Sequence, residues 1–261
     1  MSLNLTIDQG NTAAKIALWR DSELIDLAIH EHIAPQVVRD FISANKVDTI
    51  DAIIYCSVSS NGKALLSGLS GLTGHICRLT LDMPLPIGIR YASRSTLGAD
   101  RVAAAIGAWG AYPGESLLVV DAGTAVTYDH VTSDGFFAGG NIAPGMTMRL
   151  EALHRFTARL PRVSVPRDLS IYDHQFLGDS TESAMILGAV YGILGAINYY
   201  RSHLPEPTRV VITGGWARQL STLCDFPMSV EPDLVSRGLN EILLFNQHLA
   251  TQELKSLKTI I

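Results

Sequence analysis

Short apolar runs alternate with polar and glycine-containing segments along the chain, and this pattern predicts alternating strands and helices. The run 52–58 is almost continuously apolar, as expected for a central strand that is covered on both faces. The Gly/Pro-rich segment 139–145 is interpreted as a loop. Strands are predicted at 3–7, 14–19, 24–32, 52–58, 77–81, 117–120, 125–131 and 209–213, and helices at 36–45, 62–72, 100–112, 181–201 and 234–253. This alternation indicates the α/β fold class.

A motif that occurs twice predicts a duplicated domain. Leu117–Thr124 repeats the residue types of Asn4–Asn11: a hydrophobic strand, an aspartate, any residue, a glycine and a small polar residue. Asp-x-Gly is a common turn, so chance could produce the turn alone, but here strand, turn and a returning strand all repeat together. The repeat predicts two tandem domains, 1–114 and 115–261, that meet near Pro113-Gly114, and the last helix could pack back on the first domain.

The composition supports a folded chain and excludes several partners. The 261 residues are 47% hydrophobic and 17% charged, which provides a buried core and argues against global disorder. The net charge is -5 and no run of Lys or Arg occurs, so no basic stripe for nucleic acid or a membrane surface is expected. The three cysteines lie far apart and suggest neither a disulfide framework nor a metal site. Because no signal peptide is evident and the longest apolar run, Met185–Ile197, is short for a membrane span, we expect a cytoplasmic protein.

The segment Asp8–Lys15 has the residue types of a phosphate-binding turn. Gly10 allows the backbone to approach a bulky anion, and successive amide groups can form an anion-binding concavity. Asp8 could hold Mg²⁺ through water, and Lys15 supplies a positive charge for phosphate. The alternative is an ordinary Asp-Gly turn with a solvated lysine.

The segment Thr96–Arg101 lies at the start of a predicted helix, where the helix terminus attracts an anion. Arg101 offers a fork of donors for a carboxylate, and Asp100 is a candidate base. In phosphoryl transfer the proton leaves late, so a carboxylate of ordinary pKa can orient the accepting hydroxyl. The alternative is an aspartate that favours the helix dipole, with Arg101 as its ion-pair partner.

The second copy of the turn, Asp121–Ala125, is flanked by apolar residues. Asp121 is therefore expected to be buried or half-buried, and such a carboxylate needs a cation or several N–H donors. Gly214-Gly215 follows a predicted strand and either admits a flat base against bare backbone or only ends the strand. Small residues recur at four-residue spacing in the helix 181–201, which predicts close packing against another helix or subunit: Ala184, Gly188, Gly192 and Ala196.

In this order the motifs resemble those of type III pantothenate kinases, which belong to the sugar kinase and actin-like superfamily. The resemblance covers nearly the whole chain, and Gln9 departs from it because the family usually has an aliphatic residue there; we expect only its backbone to contribute. The matching motifs are Asp8–Thr12 with Lys15, Leu97–Arg101 preceded by Tyr91, Asp121–Ala125, Gly140–Gly145, Leu160-Pro161, Gly178–Thr181 and Thr213–Gly215. The resemblance implies two tandem ribonuclease-H-like (actin-like ATPase) domains with a cleft between them.

The resemblance also implies transfer of the γ-phosphoryl group of ATP to the primary hydroxyl of pantothenate, the first step of coenzyme A synthesis. Asp100 would be the catalytic base, and Asp121 would bind K⁺ or NH₄⁺ in addition to the Mg²⁺ that accompanies ATP. Thr181 would contact pantothenate across a homodimer interface. The implied ATP-binding residues are Asp8, Gln9, Gly10, Asn11, Thr12, Ala13, Ala14, Lys15, Thr124, Gly214 and Gly215, and the implied pantothenate-binding residues are Tyr91, Gly98, Ala99, Asp100, Arg101 and Thr181.

Two other functions are compatible with the same motifs. One is a regulatory relative that keeps the fold and acts as a transcription accessory factor. The other is a kinase of the same superfamily that acts on a different small alcohol. The presence of Asp8, Lys15, Asp100 and Asp121 favours a working kinase over the regulatory protein.

Overall fold

The computed structural model describes residues 1–10, 12–57 and 62–259, and it groups them into two units. The first unit consists of Met1–Tyr112 together with the C-terminal helix that begins at Leu234, and the second is Pro113–Asp233. A division at 114/115 alone would assign that helix to the second domain, whereas the structure groups it with the first unit.

A five-stranded mixed sheet forms the centre of the first unit, in the order β3-β2-β1-β4-β5. β1, β2 and β3 are antiparallel neighbours, whereas β4 and β5 run parallel to β1. The strands of this sheet are β1 (Leu3–Gln9), β2 (Ala14–Arg20), β3 (Glu23–His30), β4 (Ala52–Ser57) and β5 (Ile76–Arg78). The short strand β6 (Gly88–Ile89) is not part of this sheet. The helices are α1 (Pro35–Ala44), α2 (Gly62–Gly68), α3 (Ala99–Ala111) and, at the end of the chain, α7 (Leu234–Thr259).

The second unit repeats this plan. Its strands have the order β9-β8-β7-β10-β11, with β7, β8 and β9 antiparallel and β10 and β11 parallel to β7. The strands are β7 (Ser116–Ala122), β8 (Ala125–Val131), β9 (Phe136–Pro144), β10 (Thr208–Thr213) and β11 (Ser229–Val230). The helices are α4 (Met146–Phe156), α5 (Thr181–His203) and α6 (Ala217–Thr222).

Three local features differ from the sequence interpretation. The polar turn was predicted to begin at Asp8, but β1 continues through Gln9 because both residues pair with β2 and β4. The segment 139–145 was interpreted as a loop, but most of it is the end of β9, paired with β8. No helix was predicted at α4, whose buried residues are only Met146 and Leu150.

The two faces of β1 have different environments. Leu5 and Ile7 point into an apolar cluster with residues of α1 and α2. On the other face, buried Asn4 and Thr6 meet polar side chains of α7. The hydrogen bonds run from Asn4 Nδ2 to Asn240 Oδ1 (3.1 Å), between the hydroxyls of Thr6 and Ser236 (2.6 Å) and from Trp19 Nε1 to Thr6 Oγ1 (3.1 Å). Because buried polar groups are costly to leave unpaired, these bonds fix the position of α7 along the sheet.

Helices α3 and α7 approach so closely that their backbones touch. A Cβ atom on Gly107 would clash with the carbonyl oxygen of Leu234, and one on Gly238 would clash with the carbonyl of Ala103. Only glycine at these two positions allows the observed contact. The helix that begins beside Asp100 is thereby packed against the helix that is bonded to β1.

Helix α5 is the core helix of the second unit. Its first turn carries a capping box in which the Ser180 side chain accepts from the Ser183 amide and the Ser183 side chain accepts from the Ser180 amide. Among the described residues, it is the single helix long and apolar enough to cross a membrane, and half of its apolar window is buried inside the protein. It packs against α4, β7 and β10.

The backbone contact between α3 and α7 can be tested by adding one methyl group. We expect Gly107→Ala to lower the free energy of unfolding by about 2 kcal/mol or more, because the Cβ atom meets backbone that cannot rotate away. Urea unfolding measures this change.

The matched control for this test is Gly110→Ala, in the same helix. Its Cβ atom would lie 3.4 Å from the Glu241 side chain, which is an ordinary contact. We expect this variant to keep or slightly exceed the wild-type stability, because alanine favours the helix. Equal stability of the two variants would contradict the close contact.

Candidate active site

Three chemically useful side chains form one row across the first sheet. Asp8 pairs with Lys15 of β2 on one side and with Cys56 of β4 on the other. Register partners project from the same face of a sheet, so carboxylate, ammonium and thiol share the face that is covered by α7. Asp8 and Lys15 are half-buried, whereas Cys56 is fully buried. The row lies where β1 ends.

The turn after β1 is short and exposed. The Gly10 amide donates to the carbonyl oxygen of Ala13 over 3.1 Å, which closes the turn, and Thr12 and Ala13 are exposed. A Cβ atom on Gly10 would lie 3.2 Å from that same carbonyl, tighter than an ordinary contact. Asn11, which is in the predicted phosphate-binding set, lies outside the described residues. Ala14 is buried and begins the returning strand, where it pairs with Gln9.

The second cluster forms at the start of α3. Gly98 is the N-cap residue with an extended backbone, and its missing side chain leaves room for the Asp100 carboxylate. Asp100 Oδ1 accepts a hydrogen bond of 2.9 Å from the Arg101 amide, so the carboxylate folds back on the first turn beside Ala99. Arg101 is only 6% exposed, and its guanidinium carbon lies 5.8 Å from the centroid of the Tyr91 ring, within cation–π range.

A buried thiol connects the two clusters electrostatically. Burial raises the pKa of Cys56 well above its usual value, and the negative charges of Asp8 and Asp100 raise this pKa further. The thiol therefore stays neutral at physiological pH. Helix α3, whose first turn holds Asp100, also contacts β4, the strand that holds Cys56, within the first unit.

The second turn is enclosed by bare backbone. Half-buried Asp121 pairs with Thr127 and Thr213, both neutral. A Cβ atom on Gly214 would clash with the Asp121 carboxylate and with the main chain of Ala122. Gly214 also has a φ of +91°, in the left-handed region that favours glycine.

A third glycine closes the other side of this turn. The Gly145 amide donates to the carbonyl oxygen of Thr124 over 3.1 Å. A Cβ atom on Gly145 would clash with the carbonyl oxygens of Gly123 and Thr124. Thr124 itself is exposed, and the Cα of Gly215 faces open space.

Thr181 is the first residue of α5 and is exposed. Two contacts of the preceding residues fix the start of this helix. Gly178 lies so close to the backbone of Ala184 that a Cβ atom on Gly178 would clash with it. The Ser183 hydroxyl donates a hydrogen bond of 3.0 Å to Asp179 Oδ1. The described residues contain no group of three or more His, Cys, Asp or Glu side chains that could hold a metal ion.

The structure therefore aligns Asp8, Lys15 and Cys56 in one row of the first unit, and it packs α3, which carries Asp100, against the strand that holds Cys56. It also places Arg101 under Tyr91, and Asp121 between Gly214 and the rest of the second turn. The sequence analysis considered Cys56 only for disulfides and metals. Its place beside Asp8 follows from the parallel register of β1 and β4, which the sequence pattern does not specify.

Comparison with known proteins identifies relatives along nearly the whole chain. A family model described as type III pantothenate kinase matches residues 4–203. A Type III pantothenate kinase from Porphyromonas gingivalis (strain ATCC BAA-308 / W83) is 36% identical over 249 residues, which covers 94% of this chain and 100% of the relative. A relative of the same name from Bacteroides fragilis (strain ATCC 25285) is 36% identical over 250 residues, covering 94% of this chain and 98% of the relative.

Solved structures of lower identity share the fold. A Campylobacter jejuni protein, described provisionally as a Baf family transcriptional activator, has a TM-score of 0.61 at 22% identity, covering 94% of this chain and 99% of its own. An activator of a 2-hydroxyisocaproyl-CoA dehydratase from Clostridium difficile, solved with bound ADPNP, has a TM-score of 0.57 at 9% identity. The match covers 96% of this chain and 97% of the activator. With two mixed α/β sheets, the predicted actin-like ATPase and sugar kinase fold is confirmed.

Proposed function

The chain belongs to the type III pantothenate kinase family, and we propose that the cluster around Cys56 carries the phosphoryl transfer this family performs. The protein phosphorylates pantothenate with ATP and forms 4′-phosphopantothenate, the first step of coenzyme A biosynthesis. The family membership favours this substrate over another small alcohol, and it favours a kinase over a regulatory protein. The assignments of single residues below are our proposal.

Asp100 acts as the catalytic base. The observation that carries this assignment is the packing of α3, whose first turn holds Asp100, against β4, the strand that pairs with β1 at Asp8. The Asp100 carboxylate orients the primary hydroxyl of pantothenate toward the γ-phosphorus. As the new P–O bond forms and the bond to the ADP oxygen breaks, the hydroxyl proton passes late to the carboxylate, so an ordinary aspartate suffices.

The first turn and Lys15 hold the ATP phosphates. Exposed Thr12 and Ala13 offer main-chain amide donors, and Lys15 adds a positive charge directly across from Asp8. Magnesium accompanies ATP in this reaction and neutralises charge on the phosphates. Its fit here is through Asp8 and water, because Mg²⁺ usually binds one or two carboxylates together with substrate phosphates rather than a cage of side chains. The absence of a larger acidic cluster among the described residues agrees with that mode.

The pantothenate carboxylate is held at the start of α3. Arg101 is buried and stacked under Tyr91, so its guanidinium is held in one orientation for a planar anion. Gly98 and Ala99 keep the helix terminus open, and its amides favour a negative charge. These residues form the acceptor site next to Asp100.

Asp121 holds the monovalent cation, K⁺ or NH₄⁺. The supporting observation is that Gly214 has no side chain, so the Asp121 carboxylate lies directly against the main chain. A side chain at position 214 would displace this carboxylate. Unlike Asp8, whose cross-strand neighbour is Lys15, Asp121 faces the neutral Thr127 and has no lysine in that position. Thr124 lies at the same turn and contacts the phosphates, and Gly214-Gly215 receives the adenosine against bare backbone.

The protein acts as a homodimer in which α5 forms the contact. One face of this helix exposes small residues and an aromatic ring at helical spacing: Ala184, Gly188, Gly192, Gly195 and Tyr199. Nearby in the sequence, the segment before α5 exposes Phe176 (73%) and Leu177 (85%). An apolar face of this kind marks an interaction surface. Thr181, at the start of the same helix, contacts pantothenate bound by the partner, and we expect the dimer to be cytoplasmic.

Replacing the base should remove turnover without unfolding the protein. We expect Asp100→Asn to lower kcat by about 10² to 10⁴, because the amide cannot take the proton. Mass spectrometry of phosphopantothenate, formed from ATP, Mg²⁺, K⁺ and pantothenate, measures the rate. Asp40→Asn, on the exposed surface of α1, is the control and should retain full activity. Unchanged turnover in Asp100→Asn would remove this residue from the role of base.

Displacing the Asp121 carboxylate should weaken cation binding. We expect Gly214→Ala to raise the K⁺ concentration for half-maximal activity at least about tenfold, because the new methyl group clashes with the carboxylate and the left-handed backbone costs about 1 to 3 kcal/mol. Gly114→Ala is the matched control, since Gly114 also has a left-handed backbone (φ +81°) but its Cβ atom would meet nothing within 4 Å. The same K⁺ response in both variants, or activity independent of K⁺ in the wild type, would contradict the cation site.

Placing a charge on the exposed face of α5 should separate the subunits. We expect Gly188→Glu to be monomeric in sedimentation equilibrium and to raise the KM for pantothenate about tenfold or more, because a buried unpaired carboxylate opposes association. Gly74→Glu, which also has open space around its Cβ atom, should stay dimeric and active. A dimeric Gly188→Glu would exclude this face as the interface, and a monomeric wild type would exclude the dimer.

A further inference from the structure

The side chain of Gln9 lies on the opposite face of the sheet from Asp8. There the Tyr55 hydroxyl donates a hydrogen bond of 2.8 Å to Gln9 Oε1. Tyr55 is fully buried in the apolar cluster between the sheet and the helices α1 and α2. The bond therefore joins the last residue of β1 to the interior of β4. The sequence analysis assigned Gln9 a backbone role only.

This bond replaces packing that is missing at the end of β1. Gln9 lines a cavity of about 330 Å³, together with His32, Ile33, Ala34, Pro35, Ala64 and Leu65. His32 and Ala34 are exposed, so this cavity is open to solvent and few apolar contacts hold the strand end on this side. A buried hydroxyl without a partner is costly, and that cost keeps the Gln9 side chain on Tyr55.

The position of Gln9 determines where the phosphate turn begins. The next residue is Gly10, whose amide closes the turn onto Ala13 over 3.1 Å. A shift at Gln9 would move the amides of this turn relative to Lys15 and the bound phosphates. Holding them in place before ATP arrives removes an ordering cost from binding.

Building on the ATP site proposed above, we propose that the Gln9 side chain is a positioning residue for ATP, which the Tyr55 hydroxyl holds so that Gly10, the first residue of the phosphate turn, is fixed before ATP binds. Gln9 acts through the main chain of the turn, and its amide does not touch the reacting atoms. The pair belongs to ATP binding and not to acceptor binding, because it lies on the face opposite Asp8 and Cys56.

The test is a double-mutant cycle with Tyr55→Phe, Gln9→Met and the combined variant. We expect each single change to raise the KM for ATP about fivefold, the effect of one ordinary hydrogen bond. The KM for pantothenate and kcat at saturating ATP should not change. The combined variant should show about the same fivefold rise, because one bond is lost in all three proteins. Equilibrium binding of a non-hydrolysable ATP analogue should show the same ratios.

The control is Tyr128→Phe in the second unit. Tyr128 is also fully buried, and its hydroxyl lies near Arg149 without a well-formed hydrogen bond among the described residues. This variant should keep the wild-type KM for both substrates. An unchanged KM for ATP in Tyr55→Phe would overturn the proposal. A rise in the KM for ATP in the combined variant equal to the product of the two single rises would also overturn it. Equal rises in the KM for ATP and the KM for pantothenate, together with a lower unfolding temperature, would indicate a purely structural pair and would overturn it as well.

Discussion

The arrangement of the proposed catalytic residues depends on how α7 is held in the first unit. On one side, its serine and asparagine side chains bond to buried Thr6 and Asn4 of β1. On the other, its backbone touches α3 at Gly107 and Gly238. Asp8 lies near the end of β1 and Asp100 lies in the first turn of α3, so one helix sets the distance between these two carboxylates. Each unpaired buried polar group would cost about 1 to 3 kcal/mol, which keeps the helix in this register.

The two units show how a duplicated plan acquires two chemistries. Five strands in each sheet share the same order and direction, and each central strand leads into an Asp-x-Gly turn. The neighbours of the two aspartates differ, since Asp8 pairs with Lys15 and Asp121 pairs with Thr127. A carboxylate beside a built-in ammonium suits a phosphate site, whereas one beside neutral groups suits an added cation. The difference arises from side chains, because the backbone plan is shared.

The sequence predicted the fold class and the duplicated strand and turn, because a hydrophobic strand followed by Asp-x-Gly is a local signal. It did not predict the tertiary contacts that position the site. Cys56 lies beside Asp8 because β4 pairs in parallel with β1 in one particular register. Gln9 of β1 contacts Tyr55 of β4 through a hydrogen bond between these two neighbouring strands. The segment Gly139–Pro144 has the composition of a loop, yet pairing with β8 makes it a strand, since sheet context overrides local preference. The roles of individual site residues, which resemblance suggested, stay predictions.

The return of α7 to the first unit also constrains how the protein is made. During synthesis, Met1–Tyr112 leaves the ribosome first, but the helix that covers its sheet follows only after the whole second unit, Pro113–Asp233. At about 5 to 20 residues per second, the nascent first unit waits on the order of ten seconds with polar Asn4 and Thr6 uncovered. The second unit can fold in that interval as a continuous segment. The first unit is thus begun before the second unit and completed after it.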